Sequence, residues 1–362
     1  EKALSKPPPD PKSDTEDARI GRAVRLINVD HRVSRGVNLV NSNGVAHLGP
    51  QVKAQMCAKH PQTSPASWEP PPIAEVNMSK LRETLRTADY LVGVGPRGFK
   101  AHYLQVLVTG RMIDPDAMAA FERFEALGKA YLSASMPPWL RRTLGGGCLT
   151  PLCKDKMVDG VEPDARPVNA NDYDVSAWNK ASQQIHTPFV RAAVEPQQLG
   201  VGVSGGVEIK AWGLKLSYEK FKATGLRRVL VALDIINAHN AFSRPSSIDA
   251  LNSFADKDPQ LRGLPRNWHA NVSQKNPIFV RDREQPNGWS LLTYSSEGGP
   301  QGNALTSLAF VATIDSALKS VEEEFGVEVR AIHDDMTLIG DPDVVFGEGK
   351  ALEKLLTLLA EK

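Results

Sequence analysis

Apolar and polar residues alternate through Val327, Val329 and Ala331 and again through Met336 and Leu338, which predicts two short strands with Asp334 and Asp335 at the hairpin tip between them. A continuous apolar run, Val229 to Leu233, predicts a strand buried on both faces, with Asp234 at its C-terminal end. Helical spacing dominates from Ser79 onward, in SKLRETLRTADYL, FKAHYLQVLVTGRM and DPDAMAAFERFEALGKAYL, the last with Asp114 or Asp116 as its cap. A shorter helix, VKAQMCAKH, precedes them and ends at Pro61. Val207 to Lys222 reads as a helix whose Ile209, Trp212 and Leu216 share a face, and these three are expected in the core. A further helix is predicted over Ser243 to Phe254, started by Pro245 and Ser246, and a hairpin around Asn287-Gly288 within residues 278–295. The stretch EGGPQGNALTSLAF opens a long helix on a Gly-rich loop, and Gly326 ends it. Lys350 to Lys362 reads as an amphipathic helix.

Punctuation by Pro and Gly divides the 362 residues. Residues 1–75 are linker-rich, 76–135 form a helical lead-in, 136–228 alternate short apolar runs with Gly and Pro, and 229–362 hold the strands and the long helix. Within 137–168, Lys154, Lys156 and Arg166 punctuate what reads as a twisted hairpin presenting cations. The fold class expected is α+β, an antiparallel sheet packed on helices with a helical N-terminal extension.

Composition is that of an ordinary globular chain, 41% hydrophobic and 23% charged. No apolar run reaches the roughly 20 residues of a membrane span, because Leu308 to Leu318 is interrupted by Asp315. Cys57, Cys148 and Cys153 are odd in number and lack zinc-ligand spacing, which predicts reduced thiols in an intracellular protein, nuclear or cytoplasmic. The net charge of +1 conceals a gradient: Lys and Arg number 13 against 10 Asp and Glu in residues 1–96, 18 against 13 in 97–228, and 12 against 19 in 229–362. A basic middle followed by an acidic end suits a unit that grips a polyanion joined to one that gathers cations.

Two neighbouring acids on rigid strands repel each other, and a divalent cation is their natural neutraliser. Taken alone, Asp334-Asp335 reads more readily as a solvated turn, since Asp is a favoured turn residue. Gly200 to Gly205 spells G-x-G-x-x-G, but no strand precedes it and no acidic residue follows at the spacing of a dinucleotide fold, so it is read as a flexible turn. Lys154, Lys156 and Arg166 have the chemistry to hold a triphosphate, and each alone reads more readily as a solvated basic face.

In chain order, an apolar strand ending in Asp234, a Gly-Pro-Gln-Gly loop before a helix, and an Asp-Asp hairpin resemble the palm of template-directed polymerases. LDIINAHNAFSR, GGPQGNALTSLAF and AIHDD resemble three catalytic motifs of reverse transcriptases of the non-LTR retrotransposon type, with weaker likeness through EPQQLGVGVSGGVE, LCKDK and ARPV. The resemblance implies right-hand fingers and palm and an RNA-directed DNA polymerase. Its partners would be an RNA template, a DNA primer and dNTPs, with no membrane. Two Mg²⁺ ions, or Mn²⁺, would be held by Asp234, Asp334, Asp335 and the backbone carbonyl of Ile235. It further implies that Gln301 and Gly302 lie against nucleotide and template, and that Lys154 and Arg166 hold the triphosphate. The family places Phe or Tyr where this chain has His239, which leaves sugar selection open, and Ala where it has His333, expected to pack or face solvent. The lysine-bearing motif and thumb of that family have no counterpart here, so the sequence reads as a fragment. The alternative is a catalytically decayed nucleic-acid-binding remnant of a retroelement; a third reading, an unrelated cyclase or polymerase on a similar palm, does not predict Gly-Pro-Gln-Gly.

Overall fold

Asn303 and Gly326 bracket the helix around which the larger core is built. The Asn303 side chain accepts from the Leu305 amide at 2.9 Å, and Gly326, at φ 63°, closes the other end by donating its amide to the Glu322 carbonyl. A computed structural model of the protein describes residues 20–21, 23–25, 42–63, 69–89, 93, 95–109, 115–155, 163–282, 285 and 288–362. The protein is mixed α+β, with two small sheets.

In chain order the helices are α1 (Pro50–Ala58), α2 (Leu81–Arg86), α3 (Ala101–Thr109), α4 (Pro115–Leu132) and α5 (Pro138–Leu144). Strands β1 (Gly147–Cys153) and β2 (Ala165–Asn171) precede α6 (Tyr173–Val194) and α7 (Gly206–Thr224). Then come β3 (Val229–Leu233), α8 (Ala238–Ala241), α9 (Arg244–Lys257), α10 (Leu264–Val272), β4 (Asn276–Arg281) and β5 (Trp289–Ser295). The central helix is α11 (Ala304–Phe325), followed by β6 (Glu328–Ile332), β7 (Asp335–Gly340), α12 (Pro342–Val345) and α13 (Ala351–Ala360).

The chain folds as two compact units. The smaller comprises Glu1–Lys59 and Leu149–Val168. Within it Val45 bridges Leu152, α1 buries Val52 and Met56, and the Lys59 ammonium reaches both the Asp164 carboxylate and the Ala165 carbonyl. The larger unit comprises His60–Cys148 and Asn169–Lys362 and holds two hydrophobic clusters. One packs α2, α3 and α4 against the start of α6, with Trp178 beside Phe124 and Tyr131. The other packs α11 against α9, α10, α13, the end of α6 and one face of the three-stranded sheet. Thus α6, which sequence periodicity left unpredicted, joins both clusters. By length and composition α11 passes as a membrane span despite Asp315, and 72% of it is buried inside the fold.

The helices expected over VKAQMCAKH, the three segments from Ser79, Ser243–Phe254 and the C-terminal stretch all form, within a few residues. The Asp114 cap, Lys156, Asn287 and most of the linker-rich 1–75 lie outside the described residues. Two expectations are corrected. Strand β3 alternates half-buried and exposed residues, with Leu230 40% exposed, so it is covered on one face only. Helix α7 buries only Gly206: Ile209, Trp212 and Leu216 are exposed, because the helix leans on the sheet through its other side. Cys57, Cys148 and Cys153 form no disulfide among the described residues, and burial pushes the Cys148 thiol up to about 11.

Candidate active site

The three-stranded sheet has the order β3-β7-β6, all antiparallel. Leu233 pairs with Met336 at the end of the β3–β7 ladder, and Ile332 with Asp335 at the end of the β6–β7 ladder. Continued by one residue, the first register sets Asp234 opposite Asp335. Opposite residues in an antiparallel pair project from the same face. Val231 and Leu233 and their partners Leu338 and Met336 belong to the core. Asp234 and Asp335 therefore stand on the other face, and both are exposed. Between that face and α7 lies a cleft of about 360 Å³, lined by Lys210, Ala211, Leu214, Thr337 and these two carboxylates. The Lys210 ammonium donates to the Asp335 carbonyl at 2.8 Å; burial lowers its pKa and the Asp335 charge opposes that.

His333 and Asp334 are the two loop residues of the hairpin, and His333 has φ 53°. Two-residue hairpin turns that follow the twist of their strands require a positive φ at the first loop residue, a conformation that His tolerates better than most side chains. A buried amide holds the turn in place. Gln198 Oε1 accepts from His333 N at 2.7 Å and from Gly200 N at 3.0 Å, while its Nε2 donates to His333 O at 3.2 Å. The flanking backbone completes the clamp, Leu199 N donating to Ala331 O and Ala331 N to Gln197 O. Gly200 is glycine for room: a Cβ there would stand 2.8 Å from the His333 ring. The G-x-G-x-x-G stretch is a turn, as expected, with Gly202 and Gly205 left-handed.

His239 stacks on Phe310 at 5.2 Å and lies 5.9 Å from the His333 ring. Burial lowers the pKa of both imidazoles, and the Asp334 carboxylate works against that at each. Asp334 is thus felt on the His239 side of the turn and Asp335 on the Lys210 side. Ile235 packs its side chain on the core, while Ile236 beside it is 88% exposed.

The Gly-Pro-Gln-Gly loop is tied down on both sides. Gly299 N donates to His239 O at 2.7 Å and Gly298 N to Phe242 O at 2.8 Å. Gln301 O accepts from Asn169 N at 2.8 Å, and Gly302, at φ 120°, approaches Asn169 O so closely that a Cβ would meet it at 2.3 Å. Arg244 locks the arrangement from beneath: fully buried, it donates to Gly298 O, Val272 O and the Ser295 hydroxyl at 2.8 to 2.9 Å. In the smaller unit, Lys154 pairs with Asp164 at 2.6 Å and Arg166 is exposed. Although partial burial works the other way, Lys154 and Lys59 hold the Asp164 carboxyl below the usual range.

The structure thus brings Asp234, Asp335, Asp334, His239, Gln301 and Gly302 into one constellation of linked loops. It also contains three residues that sequence reasoning missed. Gln198 carries no signal beyond its place in the stretch between Glu195 and Glu208, Lys210 none beyond the helix predicted over Val207 to Lys222, and Arg244 none beyond closing LDIINAHNAFSR. Among the described residues, no cationic side chain pairs with Asp234, Asp334 or Asp335, and no group of three His, Cys, Asp or Glu side chains is gathered to hold a metal ion. Uncompensated hard carboxylate oxygens suit Mg²⁺ in donor chemistry. No protein-family model matches the chain, and no curated protein matches it.

Proposed function

We propose that the protein is an RNA-directed DNA polymerase of the non-LTR retrotransposon type, with the three-stranded sheet as its palm. The observation that carries this reading is the register that sets Asp234 beside Asp335, residues 101 apart in sequence, at the mouth of a hairpin. An unrelated Asp-Asp turn has no reason to meet a second strand ending in Asp. Asp234, Asp335 and Asp334 would hold Mg²⁺, which when bound lowers the pKa of a primer hydroxyl and neutralises triphosphate charge. The chain's own work is positional. Gln198 fixes the turn that carries Asp334, so that its carboxylate needs no reorganisation. Gly298 and Gly299 bring backbone close to the segment after β3 and Gly302 brings it close to Asn169 on β2, with Gln301 between them to support a base pair. His239, wedged against Phe310, stands at the residue that gates the sugar. The triphosphate roles of Lys154 and Arg166 rest on the sequence resemblance alone.

Primer extension on an oligonucleotide-annealed RNA template tests the reading. The wild type extends with dNTPs in Mg²⁺ or Mn²⁺, and Asp234→Asn and Asp335→Asn each lose the signal by at least a hundredfold. Equal extension by wild type and variants removes the catalytic assignment. RNA binding without extension by the wild type favours the decayed remnant.

A further inference from the structure

Helix α7 is the wall of the carboxylate cleft, yet it buries almost nothing. On one face of it Ile209, Trp212 and Leu216 are 51%, 61% and 62% exposed. A row of large apolar side chains left open to water marks a surface that is covered in use. Its charge says by what. From Gly206 to Arg228 the chain carries six Lys and Arg against two Glu, in a region that ends at the acidic part of the molecule. Cations and rings are interleaved: the Lys215 ammonium lies 4.9 Å over the Trp212 ring and the Arg228 guanidinium 5.8 Å over Phe221. A surface covered by another protein segment has no need of a net charge of this sign beside each ring. Single-stranded nucleic acid needs both, because its phosphates want cations and every base offers a face for stacking.

We propose that the face of α7 turned away from the sheet, carrying Ile209, Trp212 and Leu216, is a docking face for single-stranded RNA. The helix spans about 28 Å at 1.5 Å per residue, room for a run of several nucleotides. Lys210, on the side turned to the sheet, anchors the first turn to the Asp335 carbonyl, so the exposed face is presented by a fixed helix. The commitment to RNA rests on the proposed function, in which the strand ahead of the primer terminus is an unpaired RNA template.

Fluorescence anisotropy with a labelled 12-nucleotide oligouridylate, on the full chain, tests the proposal. The double variant Trp212→Ala/Leu216→Ala weakens binding about tenfold or more, with circular dichroism unchanged because both residues are exposed. Lys215→Glu/Lys222→Glu weakens it as well and makes the slope of log K against log salt shallower by about 1.4, two phosphate contacts at roughly 0.7 each. Asp234→Asn/Asp335→Asn, which removes the polymerase activity proposed above, leaves binding intact, so the two readings fail separately. Undiminished binding in both α7 variants overturns the proposal. So does tighter binding of oligodeoxythymidylate than of oligouridylate, or a wild-type dimer that dissociates on Trp212→Ala, which would make a second copy the occupant.

Discussion

Gln198 holds His333 by both backbone polar groups, accepting from its amide at 2.7 Å and donating to its carbonyl at 3.2 Å. One side-chain amide therefore sets the conformation of the turn that carries Asp334, across a sequence separation of 135 residues. Gln198→Leu leaves the His333 amide and carbonyl without their partner. Urea denaturation is expected to show a loss of about 2 kcal/mol, and primer extension a fall in kcat larger than any change in KM. Wild-type stability in the variant contradicts the role.

Glycines separate close approach from mere flexibility. Gly206→Ala puts a Cβ 2.1 Å from the Leu199 carbonyl, whereas Gly213→Ala, seven residues on in the same helix, meets nothing within 4 Å. The first is expected to destabilise by about 2 kcal/mol or more, since backbone must shift. The second is expected to stabilise by about 0.5 to 1 kcal/mol through helix propensity. Thermal melts of the two variants are expected to move in opposite directions.

Arg244 is a fork surrounded by acceptors, and its burial works against its charge, with Glu297 opposing that. Arg244→Met removes the donors to Gly298, Val272 and Ser295 together. A loss of about 3 to 5 kcal/mol is expected, and Arg244→Lys restores little of it because a point charge cannot reproduce the planar fork. Full recovery by lysine in equilibrium unfolding contradicts the claim that geometry rather than charge is what matters there.

Acid sensitivity follows from two buried imidazoles. Burial, with Arg266 and Arg141 nearby, lowers His269 to about 4, and burial lowers His186 against its bond to the Ser182 carbonyl. A folded-state value below the unfolded 6.5 means that the unfolded chain takes up the proton first. For His269 stability is thus complete above pH 6.5, falls as pH drops from there towards 4, and then levels off, and His186 adds to the fall in the same direction. His269 alone contributes about 2 kcal/mol to that fall after allowance for partial solvent screening. Denaturation midpoints of wild type and His269→Gln, measured from pH 7 to 4, are expected to converge.

Much of this was legible in the residues, and the failures have physical causes. The alternation through Val329, Ala331, Met336 and Leu338 predicts β6 and β7 because one face of that sheet is buried on α11; burial keeps the period of two in β6, whereas the central strand β7 is buried at every residue after Asp335. Val229 to Leu233 misled because a run of apolar residues reads the same whether one or both faces are covered, and Leu230 stays open to water on the face away from α11. Ile209, Trp212 and Leu216 misled for the same reason: an apolar stripe announces that it will be covered, not that the chain itself covers it. Helix α6 escaped notice because Asn179, Ser182 and His186 are polar yet buried, satisfied by Asn271, Asn267 and the helix backbone. The acids were visible as motifs, but their pairing was not. Continued by one residue, the register sets Asp335 opposite Asp234 and leaves Asp334 in the turn near His239.

Binding of Mn²⁺, followed by the loss of its free-ion electron paramagnetic resonance signal, addresses the shared site most directly. The account predicts that the wild type takes up Mn²⁺, that Asp234→Asn and Asp335→Asn each weaken uptake at least tenfold, and that the double variant is little worse than either. Uptake that is absent in the wild type, or that falls independently and additively in the two single variants, contradicts it.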